Sequence, residues 1–248
     1  MADQAQGTLT VRVPGYPTPI QFADWTHDRL FHTIQMTNGN TLEVQAFVGG
    51  KGSPIPGGTR PLSPVDTNIP KSGDNGLPEG WEALVYNIEL QMVREFETTV
   101  VGANVNLIDA AATQLSRPAH VGGGDPSVVN GGALFDFLRK TYARFEVNGK
   151  LKSEGPAEKY PQGSGISVFG TTTDLEVANN GIPSPRDAAA FVLPIWLRAN
   201  ISYVMKLQPQ AAIGDAAPVD WASFDVETPG YGFDIRITLR GLLKRPVT

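Results

Sequence analysis

Apolar and polar residues alternate one for one along much of this chain. The longest run is EALVYNIELQMVREFE (82–97), where Leu84, Tyr86, Ile88, Leu90 and Met92 alternate with Val85, Asn87, Glu89, Gln91 and Val93. A period of two sends successive side chains to opposite faces of a pleated strand, so the run predicts a long, half-buried strand. GFDIRITLRGLLKRPV closes the chain in the same manner, with Phe233, Ile235, Ile237 and Leu239 on one face and Asp234, Arg236, Thr238 and Arg240 on the other. Two hairpins are predicted. In LFHTIQMTNGNTLEVQAFV (30–48), Asn38-Gly39 separates two alternating runs, and Leu42, Val44, Ala46 and Val48 share a face. YARFEVNGKLKSEG repeats the design around Asn148-Gly149. Both turns use residues that tolerate positive φ. AAFVLPIWLRANISYVMKLQP (189–209) predicts two strands or one bent strand. Pro194 then falls at a bulge or an edge, because proline cannot donate to a ladder. GISVFGTTTDLEV (165–177) adds one or two short strands, and TLTVRV (8–13) another, cut off by PGYPTP.

The connections are less regular. Residues 49–80 form a long loop dense in Pro and Gly, directly before the longest strand. Residues 98–116 suit a strand at VVGANVNLI and a short helix or turn at LIDAAATQL, and 117–132 read as a second exposed loop. ALFDFLRKTYARF opens with Leu134, Leu138 and Ala143 near helical spacing before the strand pattern resumes. The count of about eight to ten strands, with little helix, predicts an all-β antiparallel sandwich, and an eight-stranded jelly roll fits it best. The organisation is an N-terminal arm (1–28) followed by one β domain (29–248). The 27 glycines and 20 prolines among 248 residues exceed the usual share of about 12% and fit short strands joined by tight turns.

Charge and composition narrow the chemistry. Twenty Lys and Arg against 25 Asp and Glu give a net charge of −5, which argues against a general nucleic-acid binder. With no cysteine there is no disulfide, thiolate metal site or cysteine nucleophile. MADQAQGTLTVRV lacks the basic and apolar regions of a signal peptide, and no apolar run reaches the ~18 residues of a membrane span, so the chain is expected to work without translocation. His27 and His32, near Asp24 and Asp28, are the nearest approach to a metal set, yet their spacing favours separate packed or surface histidines; His120 stands apart. There is no G-x-S-x-G elbow around Ser164, and GGKGSPIPGG (49–58) is not a phosphate loop, so its glycines read as turn formers. Glu89, Glu95 and Glu97 could serve a glycoside hydrolase only if their face lined a cleft with Trp81 or Trp196; a solvated outer face is the simpler reading. Asp66, Asp74 and Glu79 do not match a calcium loop, Asn200-Ile201-Ser202 carries the glycosylation pattern, and Trp25, Trp81, Trp196 and Trp221 read as core or interface anchors. The expectation is therefore no enzyme, no catalytic residue, no metal and no cofactor.

Four segments together carry a resemblance: VDTNIPKSGDNGLPEGWEALVYNIEL (65–90), FEVNGKLKSEGPAEKYPQGSGIS (145–167), NNGIPSPRDAAAFVLPIWLRANISYVMKL (179–207) and FDIRITLRGLLKRPVT (233–248). The Asp-Thr-Asn loop before a long strand, the Pro-x-Gly-x-Gly turn after a hairpin and the closing L-x-G-x-x-x-R-P-V are similar to those of jelly-roll major capsid proteins of icosahedral, often membrane-containing, bacterial and archaeal viruses. The similarity spans about two-thirds of the chain, from residue 58 on. It implies a structural virion protein, a self-assembling shell subunit located in the virion and assembled in the host cytoplasm. Its partners would be identical subunits in trimeric or hexameric capsomers, other virion proteins and, as a further candidate, an internal membrane, with no sequence-specific nucleic-acid binding. Such subunits contain one or two upright rolls. Two rolls need about sixteen strands, so the count favours a single roll with long loops and leaves a compact double roll as the alternative.

The resemblance gives the long loop a purpose. Shell subunits must cover strand edges against identical neighbours, and a proline-rich loop loses less entropy on docking. Arg60, Asp66, Asn68 and Trp81 are the candidates for fixing this loop within its own domain or to a neighbouring subunit, and Arg240, Lys244 and Arg245 for contacts made by a basic C-terminal tail. Two other classes remain in play: a carbohydrate-binding or attachment jelly roll, and a sandwich-fold glycoside hydrolase using Glu89 and Glu95.

Overall fold

The computed structural model describes residues 10–14, 16–21, 24–37, 43–70, 76–97, 105–108, 114–116, 138–160, 167–170, 176–179, 189–210 and 232–246. Fourteen strands lie among them: β1 (Thr10–Val11), β2 (Ile20–Gln21), β3 (Thr26–Thr37), β4 (Val44–Ala46), β5 (Glu82–Glu97), β6 (Val105–Ile108), β7 (Gln114–Ser116), β8 (Thr141–Val147), β9 (Lys150–Pro156), β10 (Ser167–Gly170), β11 (Glu176–Asn179), β12 (Ala189–Arg198), β13 (Tyr203–Pro209) and β14 (Gly232–Lys244). Helix among the described residues is confined to isolated turns such as Ala157–Lys159. The larger sheet runs β12-β5-β14-β3, with β6 also paired to β5, and the smaller runs β4-β13-β8-β9. A three-stranded sheet, β10-β11-β7, and the β1-β2 ribbon complete the set. Every named strand pair is antiparallel.

Alternation explains why the two main sheets meet. On β8, Thr141, Ala143, Phe145 and Val147 are buried while the residues between them are half exposed, and β13 repeats this with Tyr203, Met205 and Leu207. These side chains form one apolar cluster with Leu30, Ile34 and Met36 of β3, Val85, Ile88 and Leu90 of β5, and Ile235, Ile237 and Leu239 of β14. Two antiparallel sheets sharing one core make an all-β sandwich. β14 lies between β3 and β5 and pairs along its whole length with both, from Gly232↔Thr37 to Leu243↔Thr26 on one side and from Gly232↔Phe96 to Lys244↔Glu82 on the other.

Several sequence expectations are met. β5 occupies residues 82–97, and Ile235, Ile237 and Leu239 all face the core. The β8–β9 turn has Asn148 at φ 52° and Gly149 at φ 69°, as a two-residue hairpin with both central residues left-handed requires. Pro194 sits on an edge strand, inside the register break between Ala190 and Ile195. The loop at 117–132 and most of the helical start at 133–140 lie outside the described residues.

Two expectations are corrected. The segment 30–48 is not a hairpin: β3 pairs with β14 in the larger sheet and β4 pairs with β13 in the smaller. The expected turn at Asn38-Gly39 lies outside the described residues; the long β14 partnership decides which strand β3 joins. The face assignment along β5 also changes halfway. Ile88 and Leu90 point into the main core, but so do Ala83 and Val85, while Leu84 and Tyr86 point outward. Opposite Arg240 and Gly241 the partners are Asn87 and Val85, so Tyr86 is the extra residue of a β-bulge that shifts the phase of alternation. Glycine is required at 241, because a Cβ there would stand 1.7 Å from the Leu84 carbonyl oxygen. The outward-turned Leu84 is covered by the described part of the arm: Ile20 and Trp25 bury against it, with Val13, Tyr16, Tyr86, Trp196 and Leu242 around them.

One core position carries an imidazole. His32 faces inward from β3, is fully buried and lies 5.6 Å from the Phe47 ring. Backbone groups of Thr33, Val48 and Gly49 lie near enough to favour its charged form slightly. Neither ring nitrogen has a well-formed hydrogen bond, though, and burial dominates, pushing its pKa down to about 4. The unfolded chain therefore takes up this proton below the ordinary value of 6.5, while the folded protein resists until about 4. Stability must fall across that interval as pH falls, by roughly 3 kcal/mol. Urea unfolding from pH 7 to pH 4 measures it: His32→Leu should remove most of this slope, and an unchanged slope would show that His32 is not its source.

Candidate functional site

β3 is an outer strand of the larger sheet, so alternate backbone groups along it have no strand partner. The long loop supplies them. Phe31 N donates to Asn68 Oδ1 at 3.0 Å, Thr33 N to the Asp66 carbonyl at 2.9 Å, and Gln35 N to the Pro56 carbonyl at 2.8 Å. In return Thr67 Oγ1 donates to the Phe31 carbonyl at 3.0 Å and Asn68 Nδ2 to the Arg29 carbonyl at 2.6 Å. Gly57, at φ 81°, lets the loop lie flat on this edge, since a Cβ there would come within 2.0 Å of the Gln35 carbonyl oxygen. The loop thus closes a sheet edge without being a strand.

A buried ion cluster pins it. Arg60 grips Asp66 through two bonds, Nη1–Oδ2 at 2.7 Å and Nη2–Oδ1 at 2.8 Å, and its Nη2 also reaches Asp234 Oδ2 of β14 at 2.8 Å. Ser63 donates to Asp66 Oδ2 from its backbone N at 2.9 Å and its hydroxyl at 2.6 Å. Burial alone would raise the Asp66 pKa, but Arg60 and Ser63 override it and hold the carboxylate at about 2. Arg60 is held firmly charged by the same contacts.

The other candidates are also engaged within the chain. Trp81 packs against the main core and lies under the Arg245 guanidinium, 4.8 Å from its ring centre. Arg245 pairs with Asp28 at 2.7 Å, Arg240 with Glu89 at 2.9 Å, and Lys244 approaches Glu82 at 4.0 Å. β14 continues through Lys244, so Arg240 and Lys244 belong to a central strand rather than to a tail. Glu82 also accepts bonds from Tyr16 and from the Trp196 indole at 3.0 and 2.9 Å, which latches the arm. Glu89 is buried, and that burial raises its pKa against the pull of Arg240 and Arg29. The Glu95 side chain lies outside the described residues. His27 and His32 fall on opposite faces of β3, one exposed and one in the core, so they are not brought together. No group of three potential metal ligands occurs among the described residues.

Two surface features escaped the sequence reading. The first is on β12, where Val192 is 100% and Leu193 59% exposed beside a groove of about 650 Å³; Val147, Lys150 and Lys152 form its other wall. An apolar run broken by Pro194 was the available signal, but it reads equally as a buried strand. The second is an open depression of about 610 Å³ on the outer face of the larger sheet, lined by His27, Asp28, Arg29, Tyr86, Asn87, Arg240 and Gly241. Alternation along β3 puts Arg29 on that face, although only the β14 register reveals Arg240 beside it. Compared with protein-family models, curated proteins and solved structures, the chain has no match.

The ion cluster can be tested directly. Arg60→Met keeps the length of the side chain and removes the Arg60 guanidinium from Asp66 and Asp234, 9% and 2% exposed. The expected loss at pH 7 is about 3–5 kcal/mol by urea unfolding, shrinking as pH drops through the carboxylate range and those groups take up protons. A loss below about 1 kcal/mol would mean the pair behaves as an exposed surface bridge.

Proposed function

We propose that the chain is a self-assembling shell subunit, a virion capsid protein built on a single jelly roll. The fold part of this reading is supported by strand order. Numbering the eight principal strands β3, β4, β5, β8, β9, β12, β13 and β14 from one to eight, the antiparallel pairs are one with eight, two with seven, three with six and four with five. The sheets then read 6-3-8-1 and 2-7-4-5. Such an order arises when one long eight-stranded hairpin is rolled up so that alternate pairs fall in opposite sheets, the connectivity of a jelly roll. The other named strands are only two to four residues long, which favours one roll over two.

Fold alone does not give function. The observation that carries the assembly reading is the bare apolar edge at Val192 and Leu193. A soluble subunit working alone protects such an edge with charge, and here only the neighbouring β9 supplies lysines. An identical copy is the proposed occupant: Lys150 and Lys152 give the groove a cationic rim suited to a chain of net charge −5. Arg60, Asp66 and Asn68 are spent on holding the loop to β3 and β14, so on the loop it is Val65, 70% exposed, that faces a neighbour.

Light scattering followed by negative-stain electron microscopy tests this. The full chain should form trimers, hexamers, sheets or shells, and Val192→Asp with Leu193→Asp should leave monomers with unchanged circular dichroism and melting temperature. A native chain that stays monomeric over a wide range of concentration and salt, or a double variant that assembles normally, would overturn the reading.

A further inference from the structure

We infer that the depression on the outer face of the larger sheet is a binding site for an oxyanion group, a carboxylate or a phosphate, held between Arg29 and Arg240. The β3–β14 register sets Arg29 directly opposite Arg240, and Asn87 of β5 is the next residue in the same row. Opposed residues of an antiparallel pair have Cβ atoms about 5 Å apart, where like charges repel. The smaller sheet also sets two cations opposite each other, Arg144 and Lys206, but interleaves carboxylates on its outer face: Arg144 pairs with Glu43 at 2.7 Å and with Glu146 at 3.3 Å, and Lys206 pairs with Glu146 at 2.9 Å. The larger sheet leaves two guanidiniums side by side.

The acidic groups nearby offset them only in part. Glu89 is 3% exposed, meets Arg240 through Nε at 2.9 Å and also feels the charge of Arg29. Asp28 uses Oδ1 to accept the Arg29 backbone N–H and Oδ2 to accept Arg245, each at 2.7 Å. Among the described residues the Arg29 guanidinium is in no ion pair within 4.0 Å, so one buried carboxylate faces two guanidiniums. Arg236, two rows away on the same face, adds a further cation, with Nη2 on the Val65 carbonyl at 2.8 Å rather than on a carboxylate. The local balance is therefore positive on a chain that is negative overall.

The site is also prepared in shape. The Arg29 carbonyl is fixed by Asn68 and its amide by Asp28, so the row is set before anything binds. Tyr86, the bulged residue of β5, and His27 wall the depression, whose volume of about 610 Å³ admits a small molecule. Two guanidinium forks and a side-chain amide facing one open space suit a planar carboxylate or a phosphate, each able to accept paired hydrogen bonds.

The experiment is a thermal-unfolding titration of the full chain with inorganic phosphate, and separately with acetate, chloride holding ionic strength constant. Phosphate also stabilises proteins by exclusion from their surface, an effect that does not saturate. The expected result is an additional, saturable rise in melting temperature with at least one anion. Arg29→Gln should weaken that component at least about tenfold, measured as the saturable rise above the variant's own melting temperature without anion. Lys150→Gln, which removes a cation elsewhere, should leave it intact. No saturable component with either anion, equal responses in the native protein and Arg29→Gln, or equal weakening by Lys150→Gln would overturn the site. The outcome does not depend on whether the chain assembles.

Discussion

A strand at the rim of a sheet carries backbone groups that must find partners, and the larger sheet of this protein ends in two such strands, β3 and β12. The chain treats them in opposite ways. Along β3 the long loop, from Pro56 to Asn68, supplies donors and acceptors one by one, and the cluster of Arg60, Asp66 and Asp234 ties that loop to the central strand. An isolated buried ion pair contributes little net stability, because desolvation consumes most of its attraction. Here the pair fixes position: it holds Asp66, whose carbonyl completes β3, at the height where Thr33 can reach it. Along β12 nothing of the kind is present among the described residues, and apolar side chains stand in solvent. A bare edge beside a closed one is the asymmetry on which the proposed assembly rests.

Central to both edges is β14, which pairs on each side and so transmits position across the sheet. Its pairing with β3 sets the Arg29–Arg240 row, and its pairing with β5 creates the bulge at Tyr86 that turns Leu84 outward beneath the arm. The larger sheet's outer face is therefore divided by register alone. One end is apolar and roofed by Val13, Tyr16, Ile20 and Trp25, the middle is cationic and open, and the β3 edge is closed by the loop. On the smaller sheet alternating charges cancel one another across neighbouring strands, which leaves that face without a comparable site.

Local signals in the sequence had local reach. The Asn148-Gly149 hairpin, the extent of β5 and the inward face of β14 were legible, because each is set by residues a few positions apart. Asn38-Gly39 was misleading as a hairpin signal, since the partner of β3 lies nearly 200 residues away at the other end of the chain. Alternation placed Ile88 and Leu90 correctly and failed at Leu84, because a bulge is a property of two strands and only one was being read. Asp66 and Asn68 stood out as loop residues, but Asp234, their counterpart in the cluster, looked like one more polar position on the last strand.

The same reasoning explains why the two surface features were invisible in one dimension. Arg29 and Arg240 are unremarkable singly; they become a site only when the register brings them face to face and the neighbouring carboxylates turn out to be occupied. Val192 and Leu193 have the composition of a buried strand, and it is the Pro194 break from β5, on an edge already free on its other side, that turns them to solvent. Proline at this point has two consequences. It weakens the ladder that would have drawn those residues inward, and it prevents the exposed edge from extending a regular sheet into any neighbour that meets it. A contact formed here must therefore be made by side chains rather than by backbone pairing, which limits its partners to surfaces shaped to receive them.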